Sequence, residues 1–110
     1  MDRLFFSTLG TDKSMKVGAA VTTCRRGGNT ASFDVPNKYF TMTGMPVASS
    51  QYWNMVYGSR AEEVEQDAEG LQTMRTLGRN MTFMMRAIQR EKEAAGLPAK
   101  ETPIFTNFHR

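Results

Sequence analysis

Apolar residues recur every three or four positions at Val64, Ala68, Leu71, Met74, Leu77, Met81, Met84 or Met85, and Ile88. That spacing predicts a long amphipathic helix from about residue 62 or 67 to about 95, with a break near Gly70. The acidic run Glu62-Glu63-Val64-Glu65-Gln66-Asp67 lies where free N–H groups at a helix start favour negative charge. Gly96 and then Pro98 stop it. Upstream, Val17-Gly18-Ala19-Ala20-Val21 is a short, unbroken run of small apolar residues, as in a strand buried on both faces. Met45–Gln51 reads as a second strand, with Pro46 at its start, where no ladder donor is needed.

Between the strands, Phe33, Val35, Tyr39 and Phe40 predict a helix from Asn29 or Thr30. Pro36 should make it start late or kink, and Gly44 is a suitable stop. Residues 1–9 read as the end of an amphipathic helix, with Leu4, Phe5 and Leu9 on one face. Tyr52 to Ser59 is expected to be an aromatic-rich loop, and Ile104 to Arg110 a tail docked by Phe105 and Phe108. The order is helix, strand, helix, strand, helix, which favours an α/β fold with a parallel sheet. Two apolar strands make a poor sheet by themselves, so the pattern looks like the second half of a larger α/β fold.

Composition narrows the classes. At 110 residues, 40% hydrophobic and 23% charged, the chain suits one globular domain. No apolar run nears the roughly 18 residues that span a bilayer. The start, Met1-Asp2-Arg3-Leu4-Phe5-Phe6-Ser7, is too short for a signal peptide. A single cysteine, Cys24, fits a reducing, cytoplasmic setting. The net charge of +3 is spread over Arg25/Arg26, Arg75/Arg79 and Arg86/Arg90. A nucleic-acid footprint would be concentrated, so neither nucleic acid nor membrane is an expected partner. Met74, Met81, Met84 and Met85 should line a core or a subunit interface. Arg75 and Arg79 should make ion pairs with Asp67 and Glu69 or interface contacts.

The candidate site lies where the first strand ends. Thr22, Thr23, Cys24, Arg25, Arg26, Gly27, Gly28 and Asn29 join it to the next helix, and in open α/β sheets ligands bind at that end of the strands. Read by itself, Arg-Arg-Gly-Gly at a helix start also suits a phosphate or another anion. Tyr52, Trp53 and Tyr57, three aromatics in six residues, could grip something planar, or merely cover the sheet end or fill an interface. His109, the single histidine, is given no catalytic role.

Three strings resemble one family: Val17–Asn29, Tyr52-Trp53-Asn54-Met55-Val56-Tyr57-Gly58, and Glu69 to Met81 with Gly-Leu-Gln-Thr-Met-Arg-Thr-Leu-Gly-Arg-Asn inside it. They resemble the flavodoxin-like NAD(P)H-dependent FMN reductases, near the branch of iron–sulfur flavoproteins. The likeness runs through most of residues 1–95. It implies a flavodoxin-like parallel sheet with flanking helices, of which this chain holds a partial fold of about two strands and three helices. Residues 16–21 would be the fourth strand and 45–50 the fifth; the first three strands, with the FMN phosphate loop, would lie outside the chain.

By the same resemblance Thr22–Asn29 would contact the isoalloxazine ring of FMN, and Tyr52 and Trp53 would border the flavin or nicotinamide. The glycines would let backbone N–H groups approach the ring, and an arginine would offset charge on the reduced flavin. No side chain is implied as catalytic, and Cys24 alone cannot hold an iron–sulfur cluster. The implied activity is hydride transfer from NAD(P)H to FMN and on to a small-molecule acceptor, in a homodimer or homotetramer. FMN binding by these 110 residues alone should be weak or absent. Two other readings stay open: an inactive structural or oligomerising unit, and a small anion- or nucleotide-binding module.

Overall fold

The computed structural model describes residues 1–108. Its elements in chain order are α1 (Asp2–Ser7), β1 (Thr22–Cys24), α2 (Asn29–Met42), β2 (Met55–Tyr57), α3 (Ala61–Val64) and α4 (Ala68–Ala95). β1 and β2 run parallel, with Thr22 opposite Met55, Thr23 opposite Val56 and Cys24 opposite Tyr57. The fold is therefore mixed helix and strand, a two-stranded parallel sheet with flanking helices.

The strands do not fall where the apolar runs predict. Within 17–21 only Gly18 pairs, in an isolated parallel bridge to Val47; the ladder begins later, at Thr22. β2 lies inside the stretch expected to be an aromatic loop. Four steps of chain separate Gly18 from Thr22, whereas eight separate their partners Val47 and Met55. The second strand therefore makes an excursion that the first does not. Asn54, 1% exposed, closes it. Its Nδ2 donates to the Ala20 carbonyl at 3.1 Å and, more weakly, to that of Ala48 at 3.5 Å. Its own carbonyl accepts the Thr22 N–H at 3.0 Å. One side chain thus fixes how far β2 slides along β1.

α4 begins after a break at 65–67 rather than near Gly70. Asp67 makes that start. One carboxylate oxygen accepts the Gly70 N–H at 2.9 Å, and the other accepts the Tyr57 N–H at 2.7 Å. The same carboxylate thus caps the helix and holds the end of β2. Gly70 belongs inside the helix because α4 closes tightly on the sheet there. A Cβ at that position would lie 2.3 Å from Asp67 Oδ2 and 2.8 Å from Val56 Cγ1. Gly70, Thr73 and Leu77 form the buried stripe. Met74, Met81 and Met84 flank it half-buried while Met85 is exposed, so the methionines border the core rather than fill it. Gln51 bonds Gln72 and Thr76, and the Ser49 carbonyl accepts from Asn80, which ties the excursion to α4.

α2 starts at Asn29 and continues past Pro36, so the helix does not start late. It ends before Gly44, whose φ is 71°. In α1 only Phe5 is buried, against the rings of Tyr39 at 5.0 Å and Phe40 at 6.4 Å. Leu4 and Leu9 are 62% and 59% exposed, so the shared apolar face is not covered. The phenylalanines expected to dock the tail do not do so, with Phe105 and Phe108 close to nine-tenths exposed. His109 lies outside the described residues.

The tail is tethered near its start by Lys100, which bonds Asp12 Oδ1 at 2.6 Å. Lys100, followed by the Ser14 hydroxyl and N–H, holds the Asp12 carboxyl far below the usual carboxylate range. A carboxylate lowered in the folded state keeps its pairing above the unfolded value and loses it as pH falls through the folded one. The tether should therefore survive mild acid. Both partners are more than half exposed, so its effect on stability is small and screened by salt. NMR of the Asp12 carboxyl carbon should show titration moving up toward the ordinary range in Lys100→Ala; an unmoved curve would leave Ser14 as the sole cause.

The accessible surface is 8656 Å², against about 6,100 Å² for a compact monomer of this mass. The radius of gyration is 17.2 Å, where about 13 Å is usual for this length. The extended tail accounts for part of this excess. The thin two-stranded sheet and exposed apolar side chains such as Leu4, Phe6 and Leu9 add to it.

Candidate functional site

The sequence-predicted site residues are split between strand and loop. Thr22, Thr23 and Cys24 form β1 itself, with Thr23 exposed and its neighbours half-buried. Arg25, Arg26, Gly27 and Gly28 make the loop, all exposed, and Asn29 opens α2 from a buried position. The loop thus sits at the carboxyl end of the parallel strands.

Gly28 takes φ 90°, a left-handed conformation that disfavours any residue with a Cβ. It turns the chain abruptly from β1 into α2. Neither Gly27 nor Gly28 has an atom within 4 Å of where a Cβ would stand, so the space above both is open. No side chain caps α2, and its first N–H groups have no intrahelical acceptor. Arg25 and Arg26 make no ion pair among the described residues. The result is an open, electropositive shelf of backbone N–H groups and two free guanidiniums.

Two interior contacts hold the shelf. Asn29 Nδ2 points to Met55 Sδ at 2.9 Å, and the Asn29 carbonyl accepts from Thr22 Oγ1 at 3.4 Å. The Gly58 N–H donates to the Cys24 carbonyl at 3.1 Å, joining the two strand ends. The start of α2 is thereby locked to both strands by buried groups rather than by surface charges.

Tyr52 and Trp53 pack against each other, with centroids 4.8 Å apart and planes at 52°. They precede β2, so the register sets them back from the shelf. The aromatic level with Cys24 is Tyr57, the third of the aromatics in this stretch and the one not expected to border the flavin. Tyr52 instead joins Met55, Tyr57, Asp67, Glu69, Gly70 and Thr73 around a cavity of about 200 Å³. Drug-sized ligands usually occupy about 300–1,000 Å³, so this cavity is small for one.

Arg75 and Arg79 make no ion pair among the described residues, and Asp67 is already engaged by Tyr57 and Gly70. The expected ion pairs with Asp67 and Glu69 are therefore not formed. Among the described residues, no group of three or more His, Cys, Asp or Glu is placed to hold a metal. No described helix is long and apolar enough to cross a membrane. No protein-family model, curated protein or solved structure matches the chain.

Proposed function

We propose that residues 1–110 are the C-terminal half of a flavodoxin-like, NAD(P)H-dependent FMN reductase, and that Thr22–Asn29 receives the isoalloxazine ring. One observation carries this reading: the shelf over Gly27 and Gly28 is open, rich in N–H donors and set at the carboxyl ends of two parallel strands. When bound, FMN would accept a hydride from NAD(P)H and pass electrons to a small-molecule acceptor. The chain's own part is to position the ring. Backbone N–H groups at 27–29 would meet its polar edge, and Arg25 or Arg26 would offset negative charge there. Tyr57, which pairs with Cys24 and shares a cavity with Tyr52, would border it.

In this reading the FMN phosphate is held by polypeptide outside these 110 residues, and the protein works as a cytoplasmic homo-oligomer. The sparse core and thin sheet support a larger assembled body. Neither nucleic acid nor membrane enters as a partner.

A second reading rests on a specific feature, the uncapped start of α2 beside Arg25 and Arg26, which suits a phosphate group. Backbone NMR separates the two. Riboflavin, which has no phosphate, should shift the amides of 22–29 and Tyr57 while inorganic phosphate does not. Shifts at Gly28–Ala31 with phosphate alone would favour the anion module, and no shift with either would leave a purely structural unit.

A further inference from the structure

Ahead of β1, at the other end of that strand from the shelf, lies a hollow that the flavin reading does not use. Three segments far apart in sequence wall it: residues 12–17, the last turns of α4, and Leu97 just beyond that helix. Its volume is about 460 Å³, within the range of about 300–1,000 Å³ usual for small-molecule sites. Met85, Ile88, Gln89 and Lys92 reach it from one face of α4, at spacings of three and four residues. Gly96 ends the helix at φ 85°, and Lys100 pins the chain beyond it to Asp12 at 2.6 Å. Leu97, between these two fixed points, is thereby held in the wall.

The lining divides into an apolar floor and a basic rim. Met15, Val17, Met85, Ile88 and Leu97 form the floor, the two methionines as flexible thioethers that adapt to what they touch. Lys16 and Lys92 form the rim; both are exposed, and neither makes an ion pair among the described residues. Lys92 also stands in the last turn of α4, where a cation offsets the helix's negative end. Lys16 has no such duty. The acid at the rim, Asp12, is already engaged by Lys100 and by the N–H and hydroxyl of Ser14. Met15 supplies a further sign. Its φ of 60° is left-handed, and among the described residues it is the one non-glycine with a positive φ. Its N–H donates to the Gly44 carbonyl at 3.0 Å, which holds that conformation. Backbone strain maintained in this way gathers at ligand sites.

We infer that this hollow binds a small amphiphilic monocarboxylate, with its apolar body on the floor of Met15, Met85 and Ile88 and its carboxylate between Lys16 and Lys92. Each half of the lining calls for one half of that ligand. A bare inorganic anion would leave the floor in water, and an uncharged apolar molecule would leave both ammonium groups unanswered. A cation would meet two like charges, since Asp12 is already taken. The site shares no residue with Thr22–Asn29 and does not depend on flavin.

Octanoate tests it, followed by NMR of the methionine methyl groups in the full chain. The methyls of Met15 and Met85 should shift together, with a dissociation constant below about 1 mM. Those of Met42 and Met55, which lie outside the hollow, should stay still. Octanol, an eight-carbon chain without the charge, should bind about fivefold more weakly or worse, and octyltrimethylammonium not at all. Lys16→Gln with Lys92→Gln should weaken octanoate by about fivefold or more and leave octanol unchanged. Both lysines are exposed, and unaltered Met42 and Met55 signals would show the variant to be folded. No shift of Met15 and Met85 at about 5 mM octanoate, equal binding of octanoate and octanol, or a double variant that binds octanoate as before would overturn the proposal. Removal of 101–110 should leave octanoate binding unchanged; tighter binding would make the tail the occupant instead. Shifts with anionic phospholipid vesicles but not with octanoate would likewise contradict it.

Discussion

Gly70→Ala is expected to lower the midpoint of thermal unfolding by about 10–15 °C, a loss of about 2–3 kcal/mol. An exposed helical glycine replaced by alanine gains up to about 1 kcal/mol, so the sign here depends on the surroundings. The new methyl would overlap Asp67 Oδ2 at 2.3 Å and Val56 Cγ1 at 2.8 Å. Asp67 can swing away only by releasing the N–H groups of Tyr57 and Gly70. Each hydrogen bond to a charged acceptor contributes about 1.5–3 kcal/mol, which outweighs the helix gain. Asp67→Ala breaks the same two bonds, so the double variant should lose clearly less than the sum of the singles. Calorimetry of the four chains checks this. Additive losses, or a stabilised Gly70→Ala, would mean that α4 does not close on the sheet at this point.

Asn54→Ala should cost about 2–3 kcal/mol and also disturb the shelf. The buried amide bonds the Ala20 and Ala48 carbonyls, and unmade buried hydrogen bonds cost about 1–3 kcal/mol each. The longer of the two bonds keeps the total near the middle of that range. Part of the loss is offset because Asn54 Oδ1 is buried without a partner and is removed with the rest of the amide. The more telling effect is on register. With the excursion unlatched, amides in Thr22–Cys24 and Met55–Tyr57 should lose hydrogen-exchange protection more than those around Leu77. Equal loss throughout would make Asn54 an ordinary core residue.

The parts of this fold that were legible in the sequence are those set by local spacing. α4 follows from apolar residues recurring through Ile88 and from Gly96 with Pro98, and α2 from the stretch between Asn29 and Gly44. The strands were displaced because their ladder depends on a partner. Val17–Val21 is apolar enough for a strand, but the contact that sets the register runs from Asn54 to Ala20, 34 residues apart. No local pattern encodes it. Gly70 read as a break because glycine often ends helices, whereas here it admits Val56 and the Asp67 carboxylate. Leu4, Leu9 and Phe105 read as packed residues because periodicity gives a face without saying what covers it.

The candidate loop was legible as a strand-to-helix turn, and Gly28 with φ 90° gives that turn its physical reason. Its aromatic neighbour was not. Met55-Val56-Tyr57 is too short to show alternation, so Tyr57 stood with Tyr52 and Trp53 in an expected loop rather than at a strand end. The three lie close in sequence, but only the register distinguishes the one at the strand end.

Side-by-side titration of the chain with FMN and riboflavin, followed by flavin fluorescence, tests the half-site most directly. With the ring held by Thr22–Asn29 and the phosphate anchored elsewhere, both ligands should bind equally and weakly. Dissociation constants in the range of about 10 μM to 1 mM, roughly −7 to −4 kcal/mol, are expected. Submicromolar FMN binding, FMN binding tenfold or more tighter than riboflavin, or no binding of either at about 1 mM would contradict it.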